Sequence, residues 1–264
     1  MYTDEAVAAT GSAFGVSGET LVAVTEVTKR YARRVAVHRL SLRLWAGEVA
    51  GLVGSNGSGK TTTLRMLAGI LKPDEGHGQV LGFDLVSEAA QIRERAGYMS
   101  QALSLYADLS VFENLRFRAQ VYGLNSPRAA AEAAIVEFEL AEFARIAAGR
   151  LSGGWARRLQ LAAALSHSPR LVFLDEPTAG LDAAARHDVW RRIGSLAAAG
   201  AGVIVSTHHL AEAKRCSYAP FYRRERLSPP AHPDRSRRAH LQARFCSPDP
   251  MRANSRNPSK PLKA

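Results

Sequence analysis

The stretch Gly54-Ser55-Asn56-Gly57-Ser58-Gly59-Lys60-Thr61 constrains this chain more than any other. It fits the spacing G-x-x-x-x-G-K-[ST]. Before it, residues 49–53 form a short apolar run that predicts a buried strand. After it, residues 61–71 carry Leu64, Leu67, Ile70 and Leu71 at helical spacing, which predicts a helix with one apolar face. A strand that turns through glycines into a helix gathers backbone N–H groups and the positive helix end at one point, where phosphates bind. Lys60 is placed to reach the outer phosphates. Thr61, with Thr62 beside it, is placed to offer a hydroxyl to Mg²⁺. A chance glycine-rich turn is the bland alternative, and the flanking elements argue against it.

The run Leu171-Val172-Phe173-Leu174-Asp175-Glu176 supplies what such a loop lacks. A buried strand ending in two carboxylates offers Asp175 to hold Mg²⁺ through water and Glu176 to polarise an attacking water. Further strands are expected at 21–27, 35–44, 79–83, 96–99 and 203–206. Helices are expected near 87–94, from about Gly154 through 161–165, and over 188–199, with 110–150 a helical insert. Strands alternating with helices predict an α/β fold whose largely parallel sheet is covered on both faces.

Leu151-Ser152-Gly153-Gly154 opens a helix and forms a second candidate anion site from a hydroxyl, glycine amides and a helix N-terminus. One domain has no use for two γ-phosphate sites. Two copies facing head to tail would use both, with Ser152, Gly153 and Gly154 of each closing over the nucleotide on the other. Taken alone, the tetrapeptide reads as a helix cap or turn.

In order and spacing, these motifs resemble the ATP-binding subunits of ABC transporters from about Leu21 to Cys216, roughly three-quarters of the chain. The resemblance implies a P-loop NTPase core with an antiparallel β subdomain and an inserted α-helical subdomain at about 102–165. It implies ATP and Mg²⁺ as ligands. Tyr31 resembles the aromatic residue that stacks on adenine. Gln101 resembles the glutamine that senses Mg²⁺ and the attacking water and links the site to the membrane partner. Asp182 resembles the loop that crosses to the other copy, and His208 the switch histidine at the γ-phosphate. Each has a bland reading beside it: Tyr31 as a strand-end aromatic on the core, Gln101 as an exposed loop residue, Asp182 as a helix cap, and His208 as a helix-start histidine with His209 adjacent. The stretch 97–117 and the motifs around Trp155 and Asp182 resemble subunits paired with drug-export permeases. That implies an ATPase on the cytoplasmic face of a membrane, an ATP-dependent homodimer or paired ATP-binding subunit, a separate transmembrane permease, and no nucleic-acid partner. Two rivals remain: a soluble ABC-type protein acting on ribosomes or nucleic acid, and a remnant that binds ATP without turnover. Trp155 stands where most of the superfamily has Gln, as it often does in the export group. Arg157 also stands where Gln is usual.

The net charge of +11 invites a nucleic-acid reading until its location is examined. Residues 217–264 hold 11 Lys/Arg against 3 Asp/Glu, and 8 of the 12 prolines. The excess charge belongs to this basic, Pro- and Arg-rich stretch, which shows no apolar period and reads as disordered. Where the family continues into two short strands, the pattern stops at Cys216. This predicts either a frameshifted or truncated ending, with sheet surface left uncovered, or a genuine basic tail. Residues 1–20 read as a frayed tail without a secretory signal. No apolar run reaches the roughly 18 residues of a membrane span. Cys216 and Cys246 make no disulfide framework, and a reducing cytosol is the simpler reading.

Overall fold

The computed structural model describes residues 18–32 and 34–217, together with the backbone of 221–222 and 227–228. The tail expected over 1–20 lies outside these residues up to 17, and Thr20 already belongs to a strand. Strands β1 (Thr20–Tyr31) and β2 (Arg34–Trp45) form a long antiparallel hairpin, and β3 (Val49–Gly54) leads into the phosphate loop. Helix α1 (Lys60–Leu67) follows, then β4 (Glu75–Val80), β5 (Phe83–Asp84), α2 (Ala89–Arg95) and β6 (Ala96–Met99). The insert contributes α3 (Val111–Val121), α4 (Pro127–Glu137) and α5 (Gly153–Leu165). The chain returns through β7 (Leu171–Asp175), α6 (Ala183–Ala198), β8 (Gly202–Thr207), α7 (Leu210–Ala213), β9 (Phe221–Tyr222) and β10 (Leu227–Ser228).

Two sheets organise these elements. One is antiparallel with order β2-β1-β4-β5, and the other runs β10-β9-β3-β8-β7-β6 with β3, β8, β7 and β6 parallel. Successive residues of a strand face opposite sides, so a sheet covered on both faces needs apolar residues at every position. β7 meets that need, since all five of its residues are buried. Leu171 and Phe173 pack into a core shared with the antiparallel sheet and α1. Val172 and Leu174 pack into a second core with α5 and α6, where Trp190 is 1% exposed. The carboxyl ends of β3, β7 and β8 therefore emerge side by side from a dry platform.

Several element ends differ from the sequence expectation for local reasons. The helix expected to reach residue 71 stops at Leu67, because Gly69 adopts φ 68° and a Cβ there would lie 2.6 Å from the Ala89 carbonyl oxygen. Ile70, placed by periodicity on the helix face, is 48% exposed. The helix expected from 188 starts at Ala183, since the Asp182 carboxylate accepts from the Ala185 amide and nucleates it five residues earlier. In the insert, Ser110 and Glu113 form a reciprocal capping box that starts α3.

The reading of 217–264 as devoid of strand is corrected at two places. β9 pairs in parallel with β3, Val53 opposite Phe221 and Gly54 opposite Tyr222, and β10 pairs back on β9. Two-residue strands are too short to leave an alternation in sequence, yet the open edge of β3 offers them unpaired backbone groups. The edge expected to be uncovered thus carries a partner at its loop end. The rest of that stretch lies outside the described residues.

Truncating Phe173, which is 0% exposed between the two sheets, tests the platform. Phe173→Ala should lower unfolding free energy by about 3–5 kcal/mol in urea denaturation.

Candidate functional site

The phosphate loop is shaped by contact with the antiparallel sheet. Gly59 has φ 105°, and a Cβ there would sit 2.3 Å from the carbonyl oxygen of Ala36 on β2, so no other residue fits. Lys60 opens α1 and is only 5% exposed. Its Nζ donates to the carbonyl oxygens of Gly54 at 2.8 Å and Ser55 at 3.0 Å. Burial pushes the ammonium below its usual range, and the charges of Glu176 and Asp175 oppose that shift. The buried Ser58 hydroxyl has no hydrogen-bond partner. Tyr31 ends β1 half-exposed, and Arg34, opposite it in register, donates from Nη2 to the Gly57 carbonyl at 2.7 Å. Together with Asn56, Thr61 and Gln101, Tyr31 and Arg34 line a cleft of about 410 Å³.

Glu176 closes the floor of this cleft. Its Oε1 lies 3.7 Å from Lys60 Nζ and 3.4 Å from His208 Nδ1, and its Oε2 accepts from Gln101 Nε2 at 3.2 Å. Its backbone is left-handed, φ 48°, a conformation costing a non-glycine residue roughly 1–2 kcal/mol. Ser206 holds it there. The Ser206 hydroxyl accepts from the Glu176 amide at 2.9 Å and donates to Asp175 Oδ1 at 2.5 Å. Asp175 Oδ2 is buried with no partner, leaving one carboxylate oxygen able to accept a cation or its water. Thr61 and Gln101 line the cleft and Asp175 is buried next to Glu176, so the oxygen donors present suit Mg²⁺.

The second anion motif faces elsewhere. Ser152, Trp155, Arg158 and Asp182 line a separate cleft of about 480 Å³, which contains no residue of the phosphate loop. Ser152 occupies the N-cap position of α5, is exposed, and makes no side-chain cap bond. The helix-cap reading of that tetrapeptide therefore does not describe its hydroxyl. Asp182 does cap α6, as its bland reading held, and also lines this cleft.

Residues 37–179 match the model of the ABC transporter family. This chain belongs to the ABC transporter family. Probable multidrug ABC transporter ATP-binding protein YbhF of Escherichia coli (strain K12) is 38% identical over 222 residues, covering 83% of this chain and 38% of that protein. Nod factor export ATP-binding protein I of Burkholderia orbicola (strain AU 1054) is 43% identical over 191 residues, 72% of this chain and 63% of that one. The chain thus spans less than two thirds of the length of these relatives. Among solved structures, a dimeric ATP-binding cassette in a post-hydrolysis state with ADP and Pi superimposes with a TM-score of 0.72 at 26% identity, over 79% of this chain and 98% of that one. Among the described residues of this family member, no helix is long and apolar enough to cross a membrane.

Motif reading missed several residues of the cassette. Arg34 and Ser206 contact the loop and the carboxylates directly. Ser206 was legible in principle, as a polar residue at the carboxyl end of a buried strand beside β7. Glu212, 3% exposed on α7, accepts from Thr178 Oγ1 at 2.8 Å and Thr207 Oγ1 at 2.6 Å. It ties the segment between Glu176 and Asp182 to the end of β8, just before His208, and no signal short of the fold reveals that.

Ser206→Ala would strand the buried Glu176 amide and one Asp175 oxygen. Unfolding free energy should fall by about 1–3 kcal/mol, read by chemical denaturation.

Proposed function

We propose that this chain binds ATP with Mg²⁺ and hydrolyses it as one of two cassettes paired head to tail, powering a separate permease of the drug-export class from the cytoplasmic face of a membrane. The observation that carries the reading is the convergence of Lys60, Gln101 and His208 on one carboxylate, that of Glu176, at the mouth of the phosphate loop. The names of the relatives, multidrug and Nod factor export proteins, favour an exporter over a ribosome-acting protein. The presence of Ser152 on a different cleft from Lys60 favours pairing, because a single copy cannot bring both to one triphosphate.

In this reading Tyr31 stacks on the base, and the amides of Gly54, Ser55, Asn56, Gly57, Ser58 and Gly59 cradle the phosphates, with Thr62 beside them. Asp175, Thr61 and Gln101 would hold Mg²⁺, which when bound supplies positive charge to the phosphate oxygens. Lys60 adds its own cation where negative charge builds on the transferred phosphoryl group. Glu176 takes the proton of the attacking water, while Gln101 and His208 fix the direction of that water. Ser152, Gly153 and Gly154 of the second copy close the site, with Asp182 at the junction. The copies separate after hydrolysis, and the permease reads that motion through the Gln101 region and the helical insert.

Glu176→Gln keeps the shape of the site and removes the base. Turnover should fall by about 10²–10⁴-fold, with ATP retained and a dimer trapped on size-exclusion chromatography. Undiminished phosphate release from this variant would sink the assignment.

A further inference from the structure

The loop between β6 and α3 presents three successive carbonyls, at Ser100, Gln101 and Ala102, outside any sheet or helix ladder. Backbone acceptors in such a place need partners, and here two side chains of α5 supply them, joined by the Ser100 hydroxyl, which donates to the Ala102 carbonyl at 2.7 Å. Arg157 Nη2 donates to the Gln101 carbonyl at 2.5 Å, and its Nη1 donates to the Ser100 carbonyl at 3.3 Å. The same Nη1 donates to Gln160 Oε1 at 3.0 Å. That contact turns the Gln160 amide so that its NH₂ faces the loop, where it donates to Ala102 O at 2.8 Å and Ser100 O at 3.1 Å. Gln160 is 2% exposed and cannot exchange these partners for water.

Gln101 is therefore held from two sides. Its carbonyl belongs to α5 through Arg157, and its side-chain amide reaches Glu176 Oε2 at 3.2 Å. α5 begins at Gly153, with Ser152 at its N-cap, so Arg157 lies little more than one turn from the end that lines the second cleft. A planar fork can hold two adjacent carbonyls at once, which an ammonium or a carboxamide cannot do in the same way. The charge also has a place there. Burial pushes the Arg157 guanidinium below its usual range, and the nearby Glu176 and Asp175 carboxylates counter that.

We infer that Arg157 is a positioning residue that ties the Gln101 loop to α5, so that displacement of the Ser152 end of the helix moves Gln101 relative to Glu176. The inference rests on the ATPase reading above. It gives Arg157, which departs from the Gln usual at its position, a role that runs through Gln101 and involves no contact with nucleotide.

The test uses the full chain and four variants: Arg157→Met, Arg157→Lys, Gln101→Ala and the Arg157→Met/Gln101→Ala double. Binding of a fluorescent ATP analogue should stay within about twofold of the parent in Arg157→Met and Arg157→Lys, while kcat falls about tenfold in Arg157→Met and is partly restored in Arg157→Lys. The double variant should be no slower than Gln101→Ala alone, because the two residues act in series. Amide exchange over residues 100–104 should accelerate in Arg157→Met and less in Arg157→Lys. Independent, multiplicative losses in the double variant would overturn the inference, as would unchanged exchange over 100–104 or weakened binding that parallels the loss of kcat. Absence of turnover in the parent chain would instead overturn the ATPase reading, and the exchange measurement, which needs no turnover, then decides the role of Arg157 by itself.

Discussion

The ion pair between Lys60 and Glu176 sits almost wholly out of water, 5% and 8% exposed at the two side chains, and the rest of the site is organised around keeping it tolerable. Charges removed from solvent cost several kcal/mol each unless other groups replace the lost hydration. Around Lys60 the replacement comes from loop carbonyls, and around Glu176 from the Gln101 amide, with the His208 imidazole alongside. These groups arrive from β3, β8 and the loop after β6. The parallel sheet, buried on both faces, is what brings three distant stretches of chain to the carboxylate at the end of β7.

Support continues one layer out. Ser206 fixes both acidic residues at the end of β7, and Glu212 accepts from Thr178, just past them, and from Thr207 at the end of β8. A left-handed glutamate survives only where its neighbours leave no cheaper arrangement. The Ser206 hydroxyl, placed between the Glu176 amide and the Asp175 carboxylate, removes the cheaper ones. The same logic governs Gly59, whose backbone lies too close to Ala36 for any side chain.

The legible parts of the fold were those with a continuous physical signature. β3, β7 and β8 read clearly, because burial on both faces leaves an unbroken apolar run. The end of α1 did not, because Ile70 and Leu71 prolong the apolar stripe past the glycine that ends the helix. β9 escaped because two residues carry no period. In the site, contiguous motifs named the loop, the two acids and the candidate Ser152 face. Gln101 and His208 came from ordered resemblance, and the roles assigned to them remain those of the proposal. Arg34, Glu212 and Arg157 were opaque for a common reason: their partners lie 23, 34 and 56 residues away, and only the fold sets those pairings.

One helix end carries a wider consequence. Ser152 has the chemistry to close the first amides of α5, a closure typically worth about 0.5–2 kcal/mol, and it does not do so. That unspent hydrogen-bonding capacity lies on the surface, at the helix end where an approaching anion is most favoured. Helix capping and anion binding draw here on the same few backbone N–H groups, so a substitution that capped the helix would take amides that an anion could otherwise use.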